Sequence, residues 1–170
     1  MDFTKLETLK SRKIMKKTEL VLGAIVAVKG NEALRVKVNG LTQKKIQYIN
    51  DKNQPEYLRY SQLVPVELNN NILSDLGFKI RKLVMGGRNI FDFIQVLTNS
   101  KGDRDFYTIT IQPDDELGIN NRYRSVQIEN PDRKTVRFGY VKDIHELQAI
   151  IQTSIKLDLD TEKFLSCGKD

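Results

Sequence analysis

"QLVPVELNNNILSDLGF", residues 62–78, divides the chain into two parts. Pro65 has no backbone N–H to give to a sheet, so a strand that precedes it ends there. Asn69 is a favourable helix N-cap, and Gly77 stands where a left-handed C-cap belongs. The stretch therefore predicts a connector with a short helix at residues 70–76, between a first unit and a second.

Upstream of the connector, residues 18–66 contain several short strands joined by turns. "GAIVAV" (23–28) is apolar and β-branched, and "ALRVKV" (33–38) alternates apolar with basic residues, as a half-buried strand does. The "NG" at 39–40 predicts a tight turn. Two further strands are expected within 44–49 and 56–60. Because a sheet this small must close or be covered to protect its edges, we predict an SH3-like β-barrel over residues 18–66.

Downstream, residues 67–160 predict an α+β unit, an antiparallel sheet of about four strands packed with one helix. "GGRN" (86–89) has neither the spacing nor the lysine of a phosphate-binding loop and indicates a flexible turn. "NPDR" (130–133) is a candidate type I turn with Pro131 at its second position. The predicted strands are residues 89–99, 104–112, 122–129 and 134–141.

The helix of this unit begins in "YVKDIHELQ", residues 140–148, which contains the only histidine of the chain. Asp143 and Glu146 have the spacing of a capping box. His145 lies about 100° around the helix from Ile144, so we expect it on the surface, without a catalytic role. The apolar side of the helix is predicted to contain Ile144, Leu147, Ile151 and Ile155.

Composition excludes several classes of protein. With 39% hydrophobic and 29% charged residues, the chain is not globally disordered. One cysteine and one histidine cannot form an intramolecular disulfide or a four-ligand zinc site, so a reducing cytoplasm is expected. The longest apolar run, "LVLGAIVAV" (20–28), is far shorter than the roughly 20 residues of a membrane span. We predict a mobile basic leader at residues 1–17, a polar tail at 161–170, and no membrane association.

Catalytic chemistry has little support in the sequence. Cys167 lies near the end of the chain, far from His145, and nothing pairs a nucleophile with a base. Acidic side chains at the predicted strand ends could gather around Mg²⁺ or Ca²⁺, although acidic loops are usually only solvated. We predict no catalytic residue, no metal and no cofactor. The acidic residues in question are Asp103, Asp105, Asp114, Asp115 and Glu116.

Positive charge is concentrated in the first 66 residues, which carry thirteen basic and six acidic residues. Basic side chains interleaved with tyrosines on a small barrel can hold a nucleic acid strand by phosphate attraction and base stacking. Tyrosines in short strands are also commonly half-buried core. The candidate nucleic-acid-binding residues are Arg35, Lys37, Lys44, Lys45, Tyr48 and Arg59.

The order of these segments resembles a family of uncharacterised bacterial and phage-associated proteins, with an SH3-like N-terminal barrel and a C-terminal HELQ-type helix. The resemblance covers roughly residues 20–157. This chain departs from the family pattern in its basic leader and in "KIRKLVMGGR" (79–88). The resemblance implies no activity. The recurrence of "HELQ" among members of that family favours a role for His145 as an interdomain contact. The matching residues are Pro65, Val66, Leu68, Ile72, Leu73, Gly77, Phe78, His145, Glu146, Leu147 and Gln148.

These observations predict a non-enzymatic binding or adaptor protein that acts by protein–protein interaction. The alternative is nucleic-acid binding through the basic surface of the barrel. The sequence specifies neither the protein partner nor the oligomeric state.

Overall fold

The computed structural model of the chain describes residues 15–98, 106–113 and 123–166. Within these ranges the chain forms an α+β fold, with three antiparallel sheets and three α-helices. The predicted leader lies mostly outside the described residues, but Met15 is buried and residues 17–19 form a 3₁₀ turn.

The first unit consists of two small sheets. The first sheet has the strand order β2-β1-β6 and the second has the order β3-β4-β5. No pairing joins the two sheets among the described strands, so a closed SH3-like barrel is not shown. The six strands are β1 (Ile25–Val28), β2 (Asn31–Lys37), β3 (Gly40–Leu41), β4 (Lys45–Ile49), β5 (Pro55–Arg59) and β6 (Leu63–Val64).

The "NG" at 39–40 does not make the tight turn that the sequence predicts. Asn39 N donates to Gln47 O at 2.8 Å and Gly40 pairs with Gln47, so the chain passes from the first sheet into the second. A Cβ at Gly40 would lie 2.9 Å from Gln47 Oε1, which makes glycine suitable for this close approach. The reversal comes later, where Lys45 N donates to Thr42 Oγ1 at 3.0 Å.

The predicted connector helix is confirmed as α1 (Asn70–Asp75). Asn69 Oδ1 accepts from Ile72 N at 2.9 Å, which is the expected N-cap bond. Gly77 has a φ of 90°, and Phe78 N donates back to Leu73 O at 2.9 Å. This is the left-handed helix end that a glycine favours.

The second unit contains a sheet of five strands rather than about four, in the order β11-β10-β9-β8-β7. The additional strand is β7, which pairs with β8 through a two-residue turn. Gly86 and Gly87, with φ of 57° and 77°, have the positive φ values of a type I′ hairpin turn. The strands are β7 (Lys79–Met85), β8 (Arg88–Thr98), β9 (Phe106–Pro113), β10 (Arg124–Glu129) and β11 (Thr135–Val141).

Two helices complete the described part of this unit, α2 (Ile144–Ile155) and α3 (Glu162–Ser166). α3 lies at the beginning of the predicted tail, and its Phe164 is fully buried. The predicted apolar side of α2 is confirmed for Ile144, Leu147 and Ile151, which are fully buried in the main core.

The main core does not stop at the predicted boundary after residue 66. Ile25, Ala27 and Val64 of the first unit belong to the same buried cluster as Ile109, Val126 and Leu147 of the second unit. A smaller core lies in the first unit. Its buried residues are Met15, Leu20, Ala24, Val26, Val36, Val38, Ile46 and Leu63. None of the described helices is long and apolar enough to cross a membrane.

Candidate functional site

The polar residues at the start of α2 are helix-capping groups. Asp143 is the N-cap, with extended backbone angles of φ −120° and ψ 157°. Glu146 Oε2 accepts from Lys142 N at 2.7 Å and from Asp143 N at 3.3 Å. This confirms the predicted backbone contact of Glu146, whose carboxylate caps the N-terminus of α2.

His145 is buried, with 4% of its surface exposed, so the prediction of a surface position is wrong. α2 has two covered sides rather than one. Its apolar side packs on the five-stranded sheet, and a polar side with Gln148 and Gln152 meets the backbone that leads into β1. His145 precedes Gln148 by three positions, a spacing that places both on one helix side.

Gln148 joins the two units through two backbone hydrogen bonds. Its Oε1 accepts from Ile25 N, and its Nε2 donates to Gly23 O, each at 2.8 Å. The side chain is itself buried, and it satisfies a buried backbone N–H at Ile25 and a partly buried carbonyl at Gly23. The second half of "HELQ" is therefore a structural link between α2 and β1.

Asp143, His145 and Glu146 are also the described residues that come close enough to hold a metal ion, since one ligand atom of each lies within 4.8 Å of the others. Imidazole and carboxylates are suitable ligands for Zn²⁺. The oxygen Oε2 of Glu146, however, already accepts two backbone hydrogen bonds, which a metal would have to replace. We assign the cluster to the structure of the helix start.

The candidate nucleic-acid-binding residues are only partly brought together. Lys45 and Arg59 are directly opposite each other on β4 and β5, and both are exposed. Tyr57 lies opposite Gln47 on the same face, and 55% of its surface is exposed. Exposed Lys44 lies next to them in the turn before β4. Two bases and one aromatic ring therefore share this face of the small sheet, with Lys44 in the adjoining turn.

The other members of the predicted set are directed elsewhere. Tyr48 lies on the opposite face of β4, beside the buried Ile46, and donates its hydroxyl to Glu56. That hydrogen bond, with burial, raises the pKa of Tyr48 to about 12. The guanidinium of Arg35 lies 4.3 Å from the centre of the buried Phe164 ring, a structural cation–π contact. Lys37 is exposed on β2, in the other sheet.

The predicted acidic cluster lies outside the described residues, as does Cys167.

The largest feature that the sequence reading missed is the hairpin of β7 and β8. β9 pairs with β8 only from Phe93 onward, so within the described residues the β8 segment 88–92 pairs with β7 alone. We call residues 79–92 the hairpin arm. A signal for it was present in "KIRKLVMGGRNIF", where two adjacent glycines separate two stretches that contain β-branched or aromatic residues.

One face of the hairpin arm is largely apolar and exposed. The cross-strand pairs Ile80–Phe93, Lys82–Phe91 and Val84–Asn89 define this face. Phe93 is buried in the main core, but Phe91 is 50% exposed and Val84 is 68% exposed. Apolar surface thus continues outward from the core along the arm.

A partly buried ion pair holds the base of the arm on its other face. Arg81 Nε and Nη2 donate to the two carboxylate oxygens of Asp92 at 3.0 and 2.7 Å. The carboxylate of Asp92 is fully buried, and its hydrogen bonds raise the pKa of Arg81 above the usual range. The arm carries four basic residues and one acidic residue, and that single acid is committed to Arg81.

Comparison with protein families, curated proteins and solved structures found no match to this chain.

Proposed function

We propose that the protein is a non-enzymatic binding or adaptor protein that docks another protein on the hairpin arm. The partner segment is acidic and carries apolar side chains. The observation that carries this proposal is an exposed apolar face, with Ile80, Val84 and Phe91, on an arm that carries four basic residues and one acidic residue.

The physical reason lies in the combination of the two properties. Exposed apolar side chains that adjoin one another favour burial against a partner, whereas scattered ones do not. Lys82 lies between Ile80 and Val84 on β7 and opposite Phe91, so an acid of the partner can reach it while the apolar groups are covered. The complementary charge selects the partner and speeds association.

Selection from a random 12-residue peptide library on the immobilised full-length chain tests this proposal. Enriched peptides are expected to combine Asp or Glu with apolar residues and to bind with micromolar affinity. The variants Phe91→Ser and Lys82→Glu should each weaken the binding of a selected peptide about tenfold or more, a loss of roughly 1.4 kcal/mol. Fluorescence anisotropy measures the dissociation constants.

Matched control variants show whether a loss of peptide affinity is specific to the hairpin arm. Tyr57→Ser removes an aromatic side chain of similar exposure from β5, outside the hairpin arm, and Lys17→Glu reverses an exposed charge that also lies outside the arm. Neither should change peptide affinity. Selected peptides without acidic residues, or equal affinity for Phe91→Ser and the unchanged protein, would contradict the proposal.

Nucleic-acid binding is the second candidate, because Lys45 and Arg59 face each other beside the exposed ring of Tyr57. Such a face can attract phosphates and stack a base. A labelled 20-nucleotide oligo-dT and a 20-base-pair duplex test it, with affinity measured as salt is raised. Binding that weakens with salt and is lost in Lys45→Glu and Arg59→Glu supports this candidate, whereas absence of binding at low salt removes it.

Three expectations from the sequence accompany this function as proposals. Two small sheets packed around one core support an SH3-like unit. The single cysteine supports a reducing cytoplasm. The HELQ-type helix, whose Gln148 binds the strand of the first unit, supports the family resemblance.

A further inference from the structure

The strand β11 forms one edge of the five-stranded sheet. β10 is its sole neighbour among the described strands. Every residue from Thr135 to Phe138 is exposed, and so is Tyr140. The outer side of this strand therefore presents backbone N–H and C=O groups to the surroundings, which is the arrangement that accepts another strand.

The two edges of the sheet differ in how they are protected. Exposed edge strands usually carry lysines or other charges that oppose pairing with another chain. β7 has Lys79, Arg81 and Lys82 among its seven residues. β11 has the same length but one charged residue, Arg137. Charge therefore protects β7 against strand addition much more than it protects β11.

The exposed side chains of β11 are largely apolar. Phe138 is 52% exposed and Tyr140 is comparably exposed, and their rings meet edge to face with centroids 5.4 Å apart. Both residues lie opposite polar partners on β10, since Phe138 faces Gln127 and Tyr140 faces Ser125. Exposed Val136 precedes them in the same strand. None of the described helices covers the two rings, since α2 packs on the other face, where Ile150 approaches Gly139.

From these features we infer that a second copy of this chain pairs with β11, antiparallel and about a two-fold axis at Phe138. In this register Phe138 lies opposite Phe138 of the second copy, and Val136 lies opposite Tyr140. Cross-strand aromatic and β-branched pairs of this kind are stabilising. The whole of Thr135–Val141 is then paired from end to end.

The same register avoids charge conflict within the strand. Arg137 lies opposite Gly139 of the second copy, so no charged residue of β11 faces another one. Two five-stranded sheets would become one continuous sheet of ten strands, and the less charged edge of each copy would be covered. This closed, two-fold contact does not depend on the hairpin arm, which lies at the opposite edge of each sheet.

Sedimentation velocity of the full-length chain across a wide range of concentrations tests the inference. The expected species has twice the 19.6 kDa mass of one chain. Phe138→Lys places two like charges opposite each other and should weaken dimerisation at least tenfold. Phe138→Glu should do the same, and a mixture of the two variants should restore the dimer, since opposite charges then meet.

A matched change on the other edge is the control. Val84→Lys introduces the same charge on β7 at an even more exposed position and should leave the dimer unchanged. Circular dichroism checks that each variant is folded, and restoration in the mixture also shows that both variants are folded. A monomer at all concentrations, a dimer lost in Val84→Lys but not in Phe138→Lys, or open-ended assemblies would each overturn the inference.

Discussion

Gln148 is a single side chain that joins residues far apart in the sequence. It lies 123 positions from Ile25, yet its amide bonds both to Ile25 N and to Gly23 O. A buried amide that satisfies two backbone groups cannot be replaced by an apolar side chain without leaving both groups unpaired. The capping role of neighbouring Glu146 could be predicted from spacing alone, but the role of Gln148 could not.

Replacing Gln148 with leucine is expected to lower the free energy of unfolding by about 2 to 4 kcal/mol, because the buried N–H of Ile25 and the partly buried carbonyl of Gly23 lose their partner. Urea denaturation followed by circular dichroism measures the change. Gln152→Leu is the control, since Gln152 is less buried and its bond to Leu22 O is long, at 3.4 Å. Equal losses in the two variants would contradict the proposed link.

The hydrogen bond from Tyr48 to Glu56 predicts a dependence of stability on pH. The bond raises the pKa of Tyr48 from 10.0 to about 12 and lowers that of Glu56 below 4.5. The contribution of Tyr48 to the free energy of unfolding is therefore fully present below pH 10 and is lost as pH rises through about 12. That of Glu56 is present above pH 4.5 and is lost as pH falls through its lowered pKa.

Denaturation of the unchanged protein and of Tyr48→Phe across this pH range tests the prediction. The difference in stability should be largest in the neutral range and should shrink towards both ends. Tyr57→Phe, on the opposite face of the same hairpin, is the control. A difference that does not vary with pH would show that the hydroxyl contact has no such role.

At the scale of elements, the short helix α1 was predictable because its signals are local. The N-cap Asn69, the apolar Ile72 and Leu73, and Gly77 all lie within nine positions. β7 was not predicted, since its exposed apolar residues and its charges do not form the usual pattern of one buried and one wet face. Its pairing with β8 through two glycines establishes it as a strand.

Removal of the N-cap side chain of α1 is expected to lower the free energy of unfolding moderately. Asn69→Ala should cost about 1 kcal/mol, because Ile72 N loses its acceptor. Asn69→Asp retains an acceptor and adds a favourable charge at the helix start, so it should remain close to the unchanged protein. Chemical denaturation measures both. A loss of the same size in Asn69→Asp would show that the cap bond is not the cause.

At the scale of the whole molecule, one core joins the two units that the sequence separates. Ile25 lies in β1 of the first unit, and its fully buried side chain belongs to the cluster of the five-stranded sheet. If the two units unfold together, a substitution that destabilises the core at such a position lowers the stability of both.

Ile25→Ala should therefore lower stability by about 2 to 5 kcal/mol and reduce hydrogen-exchange protection in β10 as well as in β1. Mass spectrometry of exchanged peptides from the full-length chain measures protection by region. Leu22→Ala, at an exposed position nearby, should change little. Unchanged protection of β10 would mean that the units unfold independently, as the predicted boundary after residue 66 implies.

The sequence by itself determined the α+β class, the connector helix and the start of α2, because capping and strand alternation act between residues a few positions apart. The tertiary structure alone decided that His145 is buried, that the "NG" at 39–40 continues into a second sheet, and that β7 extends the five-stranded sheet. Each of these outcomes depends on which distant surfaces meet. A helix that is covered on two sides buries residues that a single amphipathic pattern places in water.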